Sequence, residues 1–558
     1  MSARRRNLKA TLTPVNRKHR LRYTCLGSAL LLALTASGAN AATYSASSEA
    51  ELIQAINNAN ANAGADTIRI GADIVLSSAL PMITDALTLQ AIGRQRAIVR
   101  DDSGSNACST TATNAFRLLD ASADLTLLNL KFSGGCNLLD FGGAVRVQHA
   151  ALRLENSTVT GNQTFLDNPN YYYGLGGGGG VAVAYGSLTL VDSVVSGNAA
   201  HGNVANGGGA AAIISDLQVV RSTISENSTQ GVGAYGGGIY VVGATVAIGD
   251  SVFADNHTNG YYANGGGLAG FDVASTIVTS QFTGNAISGY SNDRGGGINI
   301  VNPYGERTTT IDRCTISNNS IVTPDSAWGA GLRVGGGIVN ISSSSVSNNR
   351  IDAGYKARGG AMWFEVVNAT LTNTTISDNV ISGTDVGGGG LAILSEAPRL
   401  MTLAVYNSTI AGNEANGGTG GGLWIKRETD DSVPPTAYFE STILAGNLGQ
   451  DGLDAVAQVN NAPTVVAKHS LIQGTVNVGA GTFTPDATTS SLAGLDPLLL
   501  PLASNGGSTA TQALGCGSPA INAGSNSSGL KWDQRGAGFP RKTGQSVDIG
   551  AVEARCQQ

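Results

Sequence analysis

Immediately before a series of glycine-rich units stand Asn206, Tyr235, Asn264, Arg294, Trp328 and Arg358, and a few residues ahead of some of them come Tyr261, Tyr262, Tyr290, Tyr355 and Lys356. Rings, amides and cations of this kind suit sugars: a flat ring stacks on a sugar face, while Asn and Arg hydrogen-bond hydroxyls or carboxylates. Tyr235, Tyr261, Tyr262, Tyr290, Arg294, Trp328, Tyr355, Lys356 and Arg358 are therefore the predicted ligand-binding residues, for an extracellular polysaccharide or surface glycan. The competing reading makes them solvated loop residues whose tyrosines pack on one another. Only 5% of the chain is aromatic, and the gathering of Tyr and Trp in these segments keeps the ligand reading in play.

Catalysis is harder to assign. A glycoside hydrolase needs two carboxylates across one bond, and a lyase needs a base beside a group that neutralises a uronate. Asp192 and Asp250 recur, but a repeated Asp ahead of a strand reads as a turn residue. His149, His201, His257 and His469 have neither triad nor metal spacing, so no metal or other cofactor is expected and no catalytic residue is assigned. A lyase would draw on Arg294, Arg358, Lys356 and Tyr290.

These residues recur because the chain repeats. Asn162, Asn198, Asn227, Asn256, Asn285, Asn319, Asn349, Asn379, Asn413 and Asn447 follow one another at intervals of 29 to 36 residues. The last glycine of a run, at Gly180, Gly209, Gly238 and Gly267, lies 18 residues before the next Asn of the series. Between these landmarks fall short β-type runs such as Ile239 to Val242, Thr245 to Ile248 and Ser251 to Phe253, which predict three strands per repeat. A single such coil cannot bury its inner face, whereas stacked coils can, so the array is read as an all-β solenoid with an Asn ladder along its axis. The glycines are assigned to tight turns and close packing of coils rather than to a phosphate loop. Ser48 with Glu51 forms a capping box ahead of Leu52, Ile53 and Ile56, which predicts a helix covering the first coil. Extra residues near Pro303, Glu396 to Pro398 and Asp430 to Pro435 are expected in loops between strands one and two.

With 77 Gly and 13% charged residues among 558, the chain is far from average, yet 42% apolar content argues against disorder. A basic start, an apolar stretch from Leu26 to Ala36 and Ala39-Asn40-Ala41 read as a signal peptide of residues 1–41. Its removal takes eight of the 33 basic residues and leaves 25 against 39 acidic ones, a net charge of −14. So acidic a product is a poor nucleic-acid binder. Five cysteines remain in a chain expected to be secreted or at the cell surface. Cys108 with Cys136 and Cys516 with Cys556 are expected as bridges, and Cys314, in the Ser or Thr place of its repeat, as a buried thiol.

Phe253-Ala254-Asp255-Asn256 and Phe282-Thr283-Gly284-Asn285, with the glycine runs ending at Ile239 and Ile298, resemble the polymorphic outer-membrane protein repeat over about residues 125 to 450. That resemblance implies a right-handed parallel β-helix of the pectin-lyase-like class. In the tail, Asp496-Pro497-Leu498, Asn505 to Thr509, Gly517 to Ile521, Asp533-Gln534-Arg535-Gly536 and Asp548 to Glu553 resemble the choice-of-anchor Q domain, found on exported bacterial surface proteins. Five residues follow Glu553, too few for an anchor helix or membrane strands, so no transmembrane span is expected in the mature chain.

The expected organisation is thus a signal peptide (1–41), an N-terminal cap with irregular coils (42–124), regular β-helix repeats (125–450), and C-terminal coils with the anchor-Q-like tail (451–558). The functional expectation is an exported surface or secreted protein with an adhesive or glycan-binding structural role. A polysaccharide lyase or glycoside hydrolase is the alternative.

Overall fold

The structure, a computed structural model, describes residues 40–103, 106–166, 177–305, 307–395, 401–427, 435–450, 455–457, 464–474, 476–477, 482–485 and 490–556. The expected signal peptide falls almost wholly on residues 1–39, outside this set.

One coil shows how the repeat folds. Its strands are Ile239–Val242, Thr245–Gly249, Val252–Ala254 and His257–Gly260. Each lies parallel to its copy in the next coil, pairing Ile239 with Leu268, Val246 with Ser275, Phe253 with Phe282 and Thr258 with Ile287. Among the described residues, first and second strands join in a 27-stranded sheet, third strands in a 15-stranded sheet and fourth strands in an 11-stranded one. The fourth strand corrects the expectation of three per repeat. Its residues, such as Ser228-Thr229-Gln230, have little strand preference of their own, but copies above and below satisfy their backbone groups. Further along, Asp293–Arg294, Ala327–Trp328, Lys356–Arg358 and Asp385–Gly387 add a four-stranded sheet just ahead of the glycine runs.

Inside the coils, alternate Val, Ile, Leu and Phe side chains form one continuous core, and two polar columns run beside it. In the first, the Nδ2 of each Asn donates to the Oδ1 of the next, from Asn162 to Asn198 (2.9 Å) through Asn285 to Asn319 (3.0 Å) to Asn413 to Asn447 (2.8 Å). The same Oδ1 also accepts the preceding Asn backbone N–H, as Asn285 does from Asn256 (3.2 Å). Glycine is required beside this column. A Cβ on Gly238 would stand 2.5 Å from the Gly267 carbonyl oxygen and 3.1 Å from the Asn256 amide carbon.

The second column consists of hydroxyls, in which the backbone N–H of Ser193 donates to Ser222 Oγ (3.1 Å) and that of Ser222 to Ser251 Oγ (3.2 Å). Cys314 occupies this column, as its sequence position predicts. It is buried and unbridged, its N–H donates to Ser344 Oγ (3.0 Å), and burial pushes its thiol up to about 12. Cys314→Ser should therefore change stability by less than about 1 kcal/mol, since it restores the column's usual hydroxyl. A thiol reagent should label Cys314 only after unfolding; labelling of Cys314 under native conditions would contradict the burial.

Helix Glu49–Ala61 opens as predicted, with Ser48 Oγ accepting from Glu51 N–H (3.3 Å), and buries Leu52, Ala55, Ile56 and Ala59 against the first coils. Cys108–Cys136 and Cys516–Cys556 are bridged. The loop containing Pro303 lies between strands Ile298–Val301 and Thr308–Asp312, with Tyr304 71% exposed. The other two insertions also fall between first and second strands, but residues 396–400 and 428–434 lie outside the described set.

The last residues do not extend the stack. They turn back along the third-strand face. There Gln534 Nε2 donates to the Ser344 carbonyl (3.1 Å) and Gln534 Oε1 accepts from Thr375 Oγ1 (2.6 Å). Thr409 Oγ1 accepts from Ala551 N–H (3.1 Å) and Ser441 Oγ donates to the Ser525 carbonyl (2.7 Å). Third strands earlier in the stack, such as Thr223–Ser225 and Val252–Ala254, bury only their central residue, whereas Ser345–Ser347, Thr375–Ser377 and Thr409–Ala411 are buried throughout. No helix among the described residues is long and apolar enough to cross a membrane.

Candidate functional site

Strand alternation assigns each first strand one inward and one outward set of side chains. Ile239 and Val241 point into the core, so Tyr240 and Val242 face out. Parallel register then lines up the outward residues of successive coils. One row runs Tyr240, Ala269, Asn299, Arg333, Trp363, Ala392, Trp424. The adjacent row runs Val242, Phe271, Val301, Gly335, Glu365, Leu394, Lys426. Along the border stands the column before the glycines, in which Asn206, Tyr235, Asn264 and Arg294 bridge in sequence and Arg294, Trp328 and Arg358 continue in register.

These three rows enclose two cavities that share Arg294. The smaller, of about 150 Å³, is lined by Trp328, Trp363 and Trp424, by Arg294, Lys356, Arg358 and Lys426, and by Glu365 and Leu394. Three of the chain's four tryptophans thus meet at one place. The larger, of about 500 Å³, is lined by Tyr235, Tyr240, Val242, Ala269, Gly270, Phe271 and Val301, with Asn264, Arg294, Asn299 and Arg333 at its polar side.

Charge and ring geometry fix the side chains of the smaller cavity. Arg294 lies over the Trp328 ring (5.1 Å to its centroid) and Arg358 over Trp424 (4.5 Å), contacts that gain strength when partly withdrawn from water. Arg358 also pairs with Asp385 (2.5 Å). Trp424 packs where only glycine leaves room, since a Cβ on Gly387 would come within 2.7 Å of its indole. Arg333 forms an ion pair with Glu365. Burial alone would raise the Glu365 carboxyl, but Arg333, with Arg294 and Trp363, holds it below its usual range, so it is ionised at neutral pH.

Of the predicted ladder, Tyr235, Arg294, Trp328, Lys356 and Arg358 line the cavities. Tyr261 and Tyr290 stack on each other (5.0 Å between centroids) and, like Tyr262 and Tyr355, are about half exposed without lining either cavity. Asn264 lines the larger cavity; Asn206, though buried, lines neither. The other candidates are dispersed. His149 stacks on Tyr185 (5.0 Å) and His201 on Phe165 (4.5 Å). Asp192 and Asp250 occupy corner positions with φ of 47° and 52°, and Asp192 pairs with Arg221 (2.7 Å). No three His, Cys, Asp or Glu residues gather as a metal set among the described residues.

Sequence reasoning missed Tyr240, Asn299, Arg333, Trp363, Glu365, Trp424 and Lys426. The available signal was alternation. In Leu332-Arg333-Val334 and Met362-Trp363-Phe364-Glu365, the second residue after each glycine unit breaks an otherwise core-facing run.

A parallel β-helix with a groove on its first-strand face is the class this geometry defines. Residues 237–433 match the family model for the right handed beta helix region, which covers most of the groove. The fold is thus an all-β right-handed parallel β-helix. None of the curated proteins compared with the chain is similar to it.

Proposed function

We propose that this is an exported surface or secreted protein whose first-strand groove binds an extracellular polysaccharide or surface glycan, in an adhesive or structural role. The observation that carries this reading is the meeting of Trp328, Trp363 and Trp424 with Arg294, Lys356, Arg358 and Lys426 around one open cavity. Indoles stack on sugar faces, guanidinium and ammonium groups bind hydroxyls and carboxylates, and register repeats the arrangement at ~4.8 Å per coil. The basic and apolar residues 1–41 and the resemblance of the repeats and tail to exported bacterial surface proteins support the location.

A second reading, a polysaccharide lyase or hydrolase, rests on Glu365, the one carboxylate among the described residues lining the tryptophan cavity. Ionised beside Arg294 and Lys356, it has the makings of a lyase base with neutralising cations. A hydrolase needs a second carboxylate in the cavity.

Retention on a panel of immobilised polysaccharides tests binding, while absorbance at 235 nm and reducing-end release test cleavage. Trp328→Ala should weaken retention about tenfold, the scale of one ring contact, and leave thermal stability nearly unchanged because the ring is half-buried. Tyr290→Ala probes whether the glycan reaches beyond the cavities. Undiminished retention of Trp328→Ala on every glycan that holds the parent would refute the groove.

A further inference from the structure

One buried carboxyl interrupts a column of alanines. Immediately ahead of Asn206, Tyr235, Asn264, Trp328 and Arg358 stand Ala205, Ala234, Ala263, Ala327 and Ala357, all buried, but ahead of Arg294 stands Asp293. It is no more exposed than the alanines and pairs in register with Ala327. A carboxylate taken out of water among methyl groups is costly unless it is well paired, so an Asp in this column calls for a reason.

The corner changes length at this residue. Asn264 lies eight residues after Asn256 of the ladder, whereas Arg294 lies nine after Asn285, and Trp328 and Arg358 lie nine after Asn319 and Asn349. Asp293–Arg294 is also one edge of the four-stranded sheet. Across the step, the Tyr262 N–H donates to the Ser291 carbonyl (3.0 Å) and the Arg294 N–H to the Ala263 carbonyl (3.0 Å). The N–H of Ala263 itself, left between them, donates to Asp293 Oδ1 (3.0 Å), so the carboxyl supplies the acceptor that the step requires. Gly289 leaves room for it, since a Cβ there would stand 1.9 Å from Asp293 Oδ2.

Burial pushes the Asp293 carboxyl up to about 6 from its usual 3.8, and Asp325 of the next coil adds to the rise, while the Thr323 hydroxyl, the Ala263 amide and Arg294 pull the other way. Asp325 is itself held by Ser291 Oγ (2.5 Å) and Ser326 Oγ (3.0 Å). A carboxyl raised in this way binds its proton more tightly in the closed corner than in an open one. Its contribution is complete below about pH 3.8 and is lost as pH rises through 6. His257 of the preceding coil, in register with Ala286, acts with the opposite sign: burial lowers its affinity for a proton, so its opening is favoured by acid.

We propose that Asp293 is a pH-sensitive latch on the groove: the neutral carboxyl holds the corner of residues 289–294 closed against the alanine column, and loss of its proton loosens that corner. Arg294, the next residue, is the one both cavities share, so the state of the corner sets the order of the groove's common wall. The inference stands apart from the glycan reading, because it concerns when that wall is ordered and not what the groove takes.

Amide hydrogen exchange read by mass spectrometry, corrected for the intrinsic pH dependence of exchange, measures the corner directly. In the parent protein the protection of peptides spanning residues 286–294 should fall about tenfold between pH 5 and pH 8, the loss implied by a carboxyl moved from 3.8 to about 6. Peptides across Thr223–Ser225, in the same stack, should keep their protection over that range. Asp293→Asn, close to the same shape and neutral at every pH, should abolish the fall. Because the parent alone displays the dependence, the test does not hinge on whether a variant folds. Constant protection of residues 286–294 in the parent, or protection that falls toward acid, would overturn the latch, and so would a fall that Asp293→Asn retains.

Discussion

Asn285→Leu is expected to lower unfolding free energy by about 3–5 kcal/mol, measured as a shift in the urea midpoint. Asn285 Oδ1 accepts from both Asn256 N–H (3.2 Å) and Asn256 Nδ2 (2.9 Å), while its Nδ2 donates to the Phe253 carbonyl (2.9 Å) and to Asn319 Oδ1 (3.0 Å). Leucine fills the volume but strands two donors of Asn256 and the Phe253 carbonyl, each costing about 1–3 kcal/mol when buried. Asn319 Oδ1 keeps one donor, the backbone N–H of residue 285 (3.1 Å). Asn285→Asp keeps the acceptor and the shape, yet it loses both donations and faces Asn319 Oδ1 with a negative charge, so it should fare little better at neutral pH. A loss below about 1 kcal/mol for either variant would mean that the ladder is satisfied by water instead.

Arg541→Met should be as damaging, and more so at high pH. In the folded-back tail, Arg541 is wholly buried, donating to the Asp548 carbonyl (2.6 Å) and lying 3.4 Å from Glu553, while Arg535 pairs with Asp533 (2.5 Å). Three buried carboxyls, Asp533, Asp548 and Glu553, thus share two guanidiniums. Burial, with Asp548 adding to it, pushes the Glu553 carboxyl up to about 7 from its usual 4.5, against the pull of Arg541. A carboxyl raised in this way binds its proton more tightly in the folded chain than in the unfolded one. Its contribution is therefore complete below about pH 4.5 and is lost as pH rises through 7. Removing Arg541 takes away the cation paired with the Glu553 carboxylate and should cost about 3–5 kcal/mol, the usual scale for breaking a buried pair. Urea midpoints at pH 5 and pH 8 should show the larger loss at pH 8, and Glu553→Gln should flatten the parent's own decline over that range. A pH-independent loss would assign Arg541 a packing role alone.

Asn256, Gly238 and Ser251 were legible in the sequence because stacking repeats the same steric and hydrogen-bonding problem every coil, and one residue type solves it each time. Cys314 was legible for the same reason, as an exchange within a column. The strand Ser228–Gln230 was not. Its polar residues carry no strand pattern, and only the neighbouring coils hold it extended. Within the groove, Arg294, Trp328 and Arg358 were legible through their position before the glycines. Tyr240 and Trp363 were hidden in runs that read as core, because an apolar strand looks alike whether one of its faces is covered or both. The return of the tail across Ser344 and Thr375 left no local trace either. Its contacts join small hydroxyls and backbone carbonyls more than 140 residues away.

That return path changes how the molecule comes apart. In a plain solenoid each coil touches only its neighbours, so opening is a chain of independent nearest-neighbour steps that begins at an end and propagates. Here the tail reaches Ser344, Thr375, Thr409 and Ser441, residues of four successive coils. None of those coils detaches without also breaking its own bond to the tail, a link that a plain stack lacks. The last coils should therefore open as one cooperative unit, with amides that exchange with solvent together. The coils ahead of Ser343 keep the graded fraying of a one-dimensional stack.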